Sequence, residues 1–264
     1  MKQPVLKRYI IIFISIVTGC YACNADVTVT EKLVEKLKNG EDVHLENQTF
    51  SEGIDLTALL EFKQVSPGVM KAVTKSNIIF EECNFKAFTT NKFQDDKRYV
   101  VDFSKNVVFK NCYFQNEFNV SYSIFYGYFS VNKSAFFADA NFSNTWFRGK
   151  TVDFSNAVFS KKVKLSNSLF DNNAKFLQTE FQEFTLIQNA VFKANAFFGG
   201  TKFDGFAEFS GVTVGHSLVM NKSVFNEKAN FNKMNVILHA DFSEVIFEKA
   251  AMLKNMYVGG NDEF

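Results

Sequence analysis

Four cysteines, three histidines and a single tryptophan are the side chains from which this 264-residue chain could build covalent or metal chemistry. Cys20 closes an apolar run behind Val17-Thr18-Gly19, and Cys23 follows in the same stretch. Cys83 and Cys112 each precede a phenylalanine, Phe85 and Phe114, by two residues. Positions two apart on an extended segment share a face, so both thiols should point where those rings point. His44, His216 and His239 read as lying on unrelated faces, with no Cys or carboxylate at ligand spacing, so no metal is expected. The chain has no glycine-rich phosphate loop, no nucleophile elbow and no His-Asp-Ser order that could form a triad. The expectation is therefore no catalytic residue, no cofactor and no enzyme.

The elements that position these residues are set by a repeat. Apolar centres run Phe109, Phe114, Val120, Phe125, Val131, Phe136, Phe142 and Phe147, then from Phe154 to Val258 in the same rhythm. Of the 27 intervals between the 28 centres, 26 alternate between five and six residues, and 19 centres are Phe. The one slip is the seven-residue step from Phe147 to Phe154. An amphipathic helix needs apolar residues at i, i+3, i+4 and i+7, and a half-buried strand needs period two over several residues. Neither sustains this alternation. The residue two before each centre is Ala, Ser, Thr, Val or Cys in 23 of 28 cases, so a small and a large residue point inward together. Two after the centre, Asn or Gly recurs, as at Asn111, Asn116, Gly127, Asn144, Gly149, Asn172, Gly200 and Gly205. These types suit corners.

The triplets Ala140-Asn141-Phe142, Ala229-Asn230-Phe231 and Ala240-Asp241-Phe242 resemble the Ala-(Asp/Asn)-(Leu/Phe) core of pentapeptide repeat proteins. That resemblance covers roughly residues 103–258. It implies an all-β fold, a right-handed quadrilateral β-helix with four faces per coil. The departure is an extra residue in every second unit, which lengthens a coil to 22 residues. One inward ladder then contains Phe114, Phe136, Phe159, Phe181, Phe203, Phe225 and Phe247. Cys83 and Cys112 are 29 residues apart, one coil plus a surplus that an excursion can absorb. They read as small buried residues or as a candidate disulfide, which an exported location permits.

Residues 1–19 combine Lys2, Lys7 and Arg8 with an apolar run too short to span a membrane comfortably, and read as a signal peptide. Val17-Thr18-Gly19-Cys20 resembles the lipobox of bacterial lipoproteins, which implies lipidation of Cys20 and anchoring in the cell envelope; the rival is cleavage after Ala25 and a secreted or periplasmic soluble chain. Residues 20–27 then form an anchor and linker. Within 28–100, Thr28 and Glu31 suggest a capping box, Leu33, Val34 and Leu37 one helix face, and Gly40 its end. Leu45, Phe50 and Leu56 begin the rhythm, with excursions at 61–77, around Pro67-Gly68, and at 86–100. Residues 101–258 are the regular β-helix and 259–264 a tail.

The net charge of +1 falls to about −2 without the signal, since Lys2, Lys7 and Arg8 leave and 1–19 holds no acid. Nucleic-acid binding wants a basic face, and the acidic DNA mimicry of some pentapeptide repeat proteins wants the opposite. Neither is expected. Ile124, Trp146, Leu169 and Val191 recur at 22, 23 and 22 residues as an outward stripe near Tyr122, Tyr126, Tyr128 and Phe129. Such a stripe is either ordinary strand packing or a partner surface. The expected role is a non-enzymatic, envelope-anchored rod, structural or protein-binding, which self-associates through an uncovered C-terminal coil. The alternative is a β-helical carbohydrate-active enzyme or glycan-binding protein.

Overall fold

The computed structural model describes residues 25–260. Cys20, Cys23, the signal segment and residues 261–264 lie outside them. The described chain winds into nine coils, each with four short strands. Like faces of successive coils pair in parallel register and build four sheets, here called A to D in the order in which the chain visits them. Coil three shows the unit: face A at Val107–Lys110, B at Tyr113–Phe114, C at Phe118–Asn119 and D at Ile124–Phe125. The fold is the expected four-sided β-helix with an N-terminal helix. It starts earlier than the regular rhythm suggests, with face A of coil one at Val43–Glu46.

Ring stacking accounts for the abundance of Phe. The predicted ladder of seven rings gains Phe50 and Phe85, and its neighbours stand 4.5–5.3 Å apart, near the spacing of paired strands. Each coil therefore buries rings both against the next coil and across the core. Phe154, Phe176 and Phe198 stack in the same way on face A.

The five/six alternation comes from two kinds of corner. At most A-to-B and C-to-D corners the centre's carbonyl accepts the N–H three residues on, as in Ser123 N to Val120 O at 3.3 Å and Thr179 N to Phe176 O at 3.2 Å, while at the Asn111 corner Cys112 N donates to Ser134 Oγ instead. The residue two after the centre has positive φ there, for example Asn111, Asn144, Asn167 and Gly200. Those two features make a type II turn. The other two corners are longer and take no positive φ except at Gly53 in coil one and Gly260 after the last strand. The Asn/Gly rule thus holds at alternate corners only, since Asn116, Gly127, Gly149, Asn172 and Gly205 are not in the left-handed region. Gly149 has another reason to be Gly: a Cβ would fall 1.8 Å from the carbonyl oxygen of Gly127 in the coil before. This is the corner that absorbs the seven-residue slip.

The small residues that follow the type II turns have a second role. Ser134, Thr145, Ser168, Thr179, Thr201 and Ser223 donate hydroxyl hydrogen bonds of 2.5–3.2 Å to the carbonyl of a centre one coil back. These buried hydroxyls tie coil to coil inside the wall.

Helix α1 (Ala25–Asn39) closes the first coil with Leu33 and Leu37. It begins three residues ahead of the expected start at Thr28. It ends as expected, in a Schellman motif: Gly40 has φ +72°, and the bonds Gly40 N to Leu37 O and Glu41 N to Lys36 O satisfy the last carbonyls. Both excursions are antiparallel hairpins inserted at the C-to-D corner. Lys63–Ser66 pairs with Val69–Thr74, and Asn91–Gln94 with Lys97–Phe103. The two hairpins stack through Val69–Thr74 against Arg98–Phe103. Asp102, its side chain only 6% exposed, accepts from Lys71 Nζ at 2.6 Å and from Ile124 N at 2.9 Å, and so fastens them to coil three. The second excursion is shorter than 86–100, because Phe88 is a buried member of face C.

Candidate functional site

Four places gather chemistry or exposed apolar surface among the described residues. The first is the open end. Phe50, at the helix-covered end of the Phe ladder, is 1% exposed, whereas Phe247 at the other end is 38% and the inward Leu253 56% exposed. Their equivalents one coil earlier, Phe225 and Phe231, are fully buried. Ile246, Met252 and Tyr257 add outward apolar surface to the same coil. The strands His239–Asp241, Ile246–Phe247, Ala251–Met252 and Tyr257–Val258 each end a sheet, so all four faces leave a strand edge unpaired there. Among the described residues nothing covers this coil.

The second place is the stripe. Ile124, Trp146, Leu169 and Val191 are direct register partners on face D, each half-buried, as the repeat implies. Beside it the slip corner carries Arg148, whose guanidinium lies 4.4 Å from the Trp146 ring centre and 5.1 Å from that of Tyr126. Asp171 pairs with Lys193 at 2.7 Å and with Arg148 at 3.7 Å. Burial works against ionisation of Asp171, but the Lys193 hydrogen bond and the two positive charges outweigh it and hold the carboxyl below its ordinary range. The patch thus offers two aromatic faces with a cation stacked on them.

The thiols form the third place. Cys83 and Cys112 lie in adjacent coils, as their register requires, but both are free and fully buried, so the candidate disulfide is not formed in this structure. Cys83 Sγ donates to Leu45 O at 3.4 Å and Cys112 Sγ to Phe80 O at 3.4 Å. These are the bonds made further along by Ser134 and Thr179, so the thiols occupy rungs of the hydroxyl ladder. The neighbouring Cys83 thiol and burial push the pKa of Cys112 up.

The reading of the histidines needs correction. His44 lies in face A, His239 in the same sheet at coil nine, and His216 immediately precedes that sheet's coil-eight strand. At the fourth place, His44 also has carboxylates at hand: its Nε2 is 3.2 Å from Glu46 Oε1 and 3.4 Å from Glu81 Oε1. The i+2 spacing of Glu46 was visible in the sequence, whereas Glu81 is brought in only by coil pairing. Comparison with protein-family models, with curated proteins and with solved structures finds no match.

Proposed function

We propose that this chain is a non-enzymatic rod of the pentapeptide-repeat type, held in the cell envelope by a lipid on Cys20, which works by contact with other protein. The first contact we assign is with a second copy, end to end, through the last coil. The exposed Phe247 and Leu253, against their fully buried equivalents one coil earlier, carry this reading. An apolar core section with open strand edges on all four sides invites strand pairing, and another last coil offers edges of the same size. Because α1 closes the opposite end, the pair is closed and does not grow into a fibre.

Sedimentation of the chain from Ala25 onward, which holds every described element, tests the contact. A concentration-dependent rise to twice the mass supports it; a monomer at all concentrations removes it. Anchoring rests on the Val17–Cys20 motif, and no helix among the described residues is long and apolar enough to cross a membrane. Mass spectrometry of the mature N-terminus decides between a lipidated Cys20 and an unmodified chain beginning at Asp26.

A second reading, glycan binding or carbohydrate chemistry, draws on the Tyr126–Trp146–Arg148 patch. Because Trp146 is the only tryptophan, its fluorescence reports this patch alone. A saturable change on titration with envelope polysaccharide favours the second reading; a flat titration favours the rod.

A further inference from the structure

The outer surface of face A at coils one and two carries a group of side chains that the rod does not use. Val43 and Leu45 point toward the core from the first strand, so the alternate residues His44 and Glu46 point outward. Glu81 is the register partner of Glu46 on the next coil. The three ligand atoms lie within 4.8 Å of one another. Two carboxylates facing each other across a strand pair repel, and only one of them is otherwise neutralised, by Lys110 Nζ at 2.9 Å from Glu81 Oε2. Glu81 Oε1 and Glu46 Oε1 both remain turned to His44 Nε2, at 3.4 and 3.2 Å.

Those separations have a metrical meaning. Four ligands about 2.0–2.1 Å from a tetrahedral ion stand roughly 3.4 Å from one another. One imidazole nitrogen with two carboxylate oxygens is a donor set for Zn²⁺ and similar transition ions; Ca²⁺ and Mg²⁺ take oxygen alone.

We infer that His44, Glu46 and Glu81 form a binding site for a divalent transition ion of the Zn²⁺ class, with Lys110 orienting Glu81 through its second oxygen. Three protein ligands leave a fourth position open, to water or to a group from another molecule. The site joins coil one to coil two, so the bound ion staples the helix-covered end of the solenoid. Its ligands are largely solvent-exposed, and ordering them costs side-chain entropy. Binding is therefore weaker than at closed structural zinc sites.

Calorimetric titration of the untagged chain from Ala25 onward with Zn²⁺ tests the site. The expected result is one ion per chain, with affinity reduced at least tenfold in His44→Ala and in Glu46→Gln and unchanged in His239→Ala. Titration with Co²⁺ should give the intense visible absorption of a tetrahedral site in the parent and not in His44→Ala. All three substituted residues sit on the surface, and the melting curve of each metal-free variant should match the parent. Absence of Zn²⁺ binding by the parent overturns the inference, as does binding that survives His44→Ala undiminished.

Discussion

Truncating the Phe ladder in its middle and at its end measures how the core is closed. Phe181 is 1% exposed, and its ring lies between Phe159 at 5.3 Å and Phe203 at 5.2 Å, within 13° of parallel to both. Replacing such a residue by Ala loses its transfer free energy and leaves a cavity, together about 3–5 kcal/mol. Part of this is the two stacked contacts, each about 0.5–1.5 kcal/mol. Phe247 has one stacked neighbour, Phe225 at 4.9 Å, and is 38% exposed. Its truncation removes less buried area and opens no enclosed cavity, so the expected cost is about 1–2 kcal/mol. Urea unfolding followed by circular dichroism, at a protein concentration low enough to keep any pair dissociated, reads both values from midpoints at constant slope. A cost under about 1 kcal/mol for Phe181→Ala would falsify the ladder as the core. Equal costs at the two positions would mean that the last coil is covered in the single chain.

Three further outcomes follow from the same geometry. Asp102→Ala strands the Lys71 ammonium and the Ile124 N–H and should cost about 3 kcal/mol; Asp102→Asn retains an acceptor for Ile124, and an equal loss for both variants would refute this division of roles. Asp42 accepts from Asn77 N, Asn77 Nδ2 and Lys105 Nζ, and these bonds hold its pKa down to about 2. Its contribution to stability is present above the unfolded value, about 4, and is lost as pH falls through about 2, so Asp42→Asn should flatten the acid limb of a stability profile and leave neutral pH differences constant. In the chain from Ala25 onward, Cys83 and Cys112 should resist a thiol reagent while folded and both react after denaturation without reductant; fewer than two reactive thiols would mean that the pair is oxidised.

Much of this architecture was legible because its main signal is local and repeated. The spacing of Phe109 to Val258 gave the inward residue of each short strand, and the four faces per coil implied by the pentapeptide-repeat resemblance turned that spacing into ladders. The corners were half legible. Asn111 and Asn144 advertise a left-handed turn residue, but Tyr122, Lys133, Gln178 and Lys222 adopt the same conformation, imposed on them by the stacked coils. The hairpins at 63–74 and 91–103 carry no repeat; their strands are fixed by stacking on each other and by Asp102. The hydroxyl ladder looked like mere smallness, since Ser, Thr, Cys and Ala serve equally well to make room. Thr179 and Ala157 both follow a type II turn, and only the hydroxyl bond to a carbonyl one coil back separates them. The His44 cluster failed for a similar reason: Glu46 and Glu81 are 35 residues apart in sequence and adjacent only after winding.

End-to-end contact is the central claim, and the length of the particle in solution tests it most directly. Nine coils at the spacing of paired strands rise about 38 Å. Two chains joined at their last coils should give a rod roughly twice that length with the cross-section of one chain. Pairing along the Trp146 stripe would instead keep the length and double the width. Small-angle scattering on the chain from Ala25 onward, at a concentration where the mass is that of two chains, distinguishes these shapes. The account predicts a maximum dimension near twice that of the monomer, which Leu253→Glu returns to the monomer value. A pair of unchanged length, or one that survives Leu253→Glu, would contradict it.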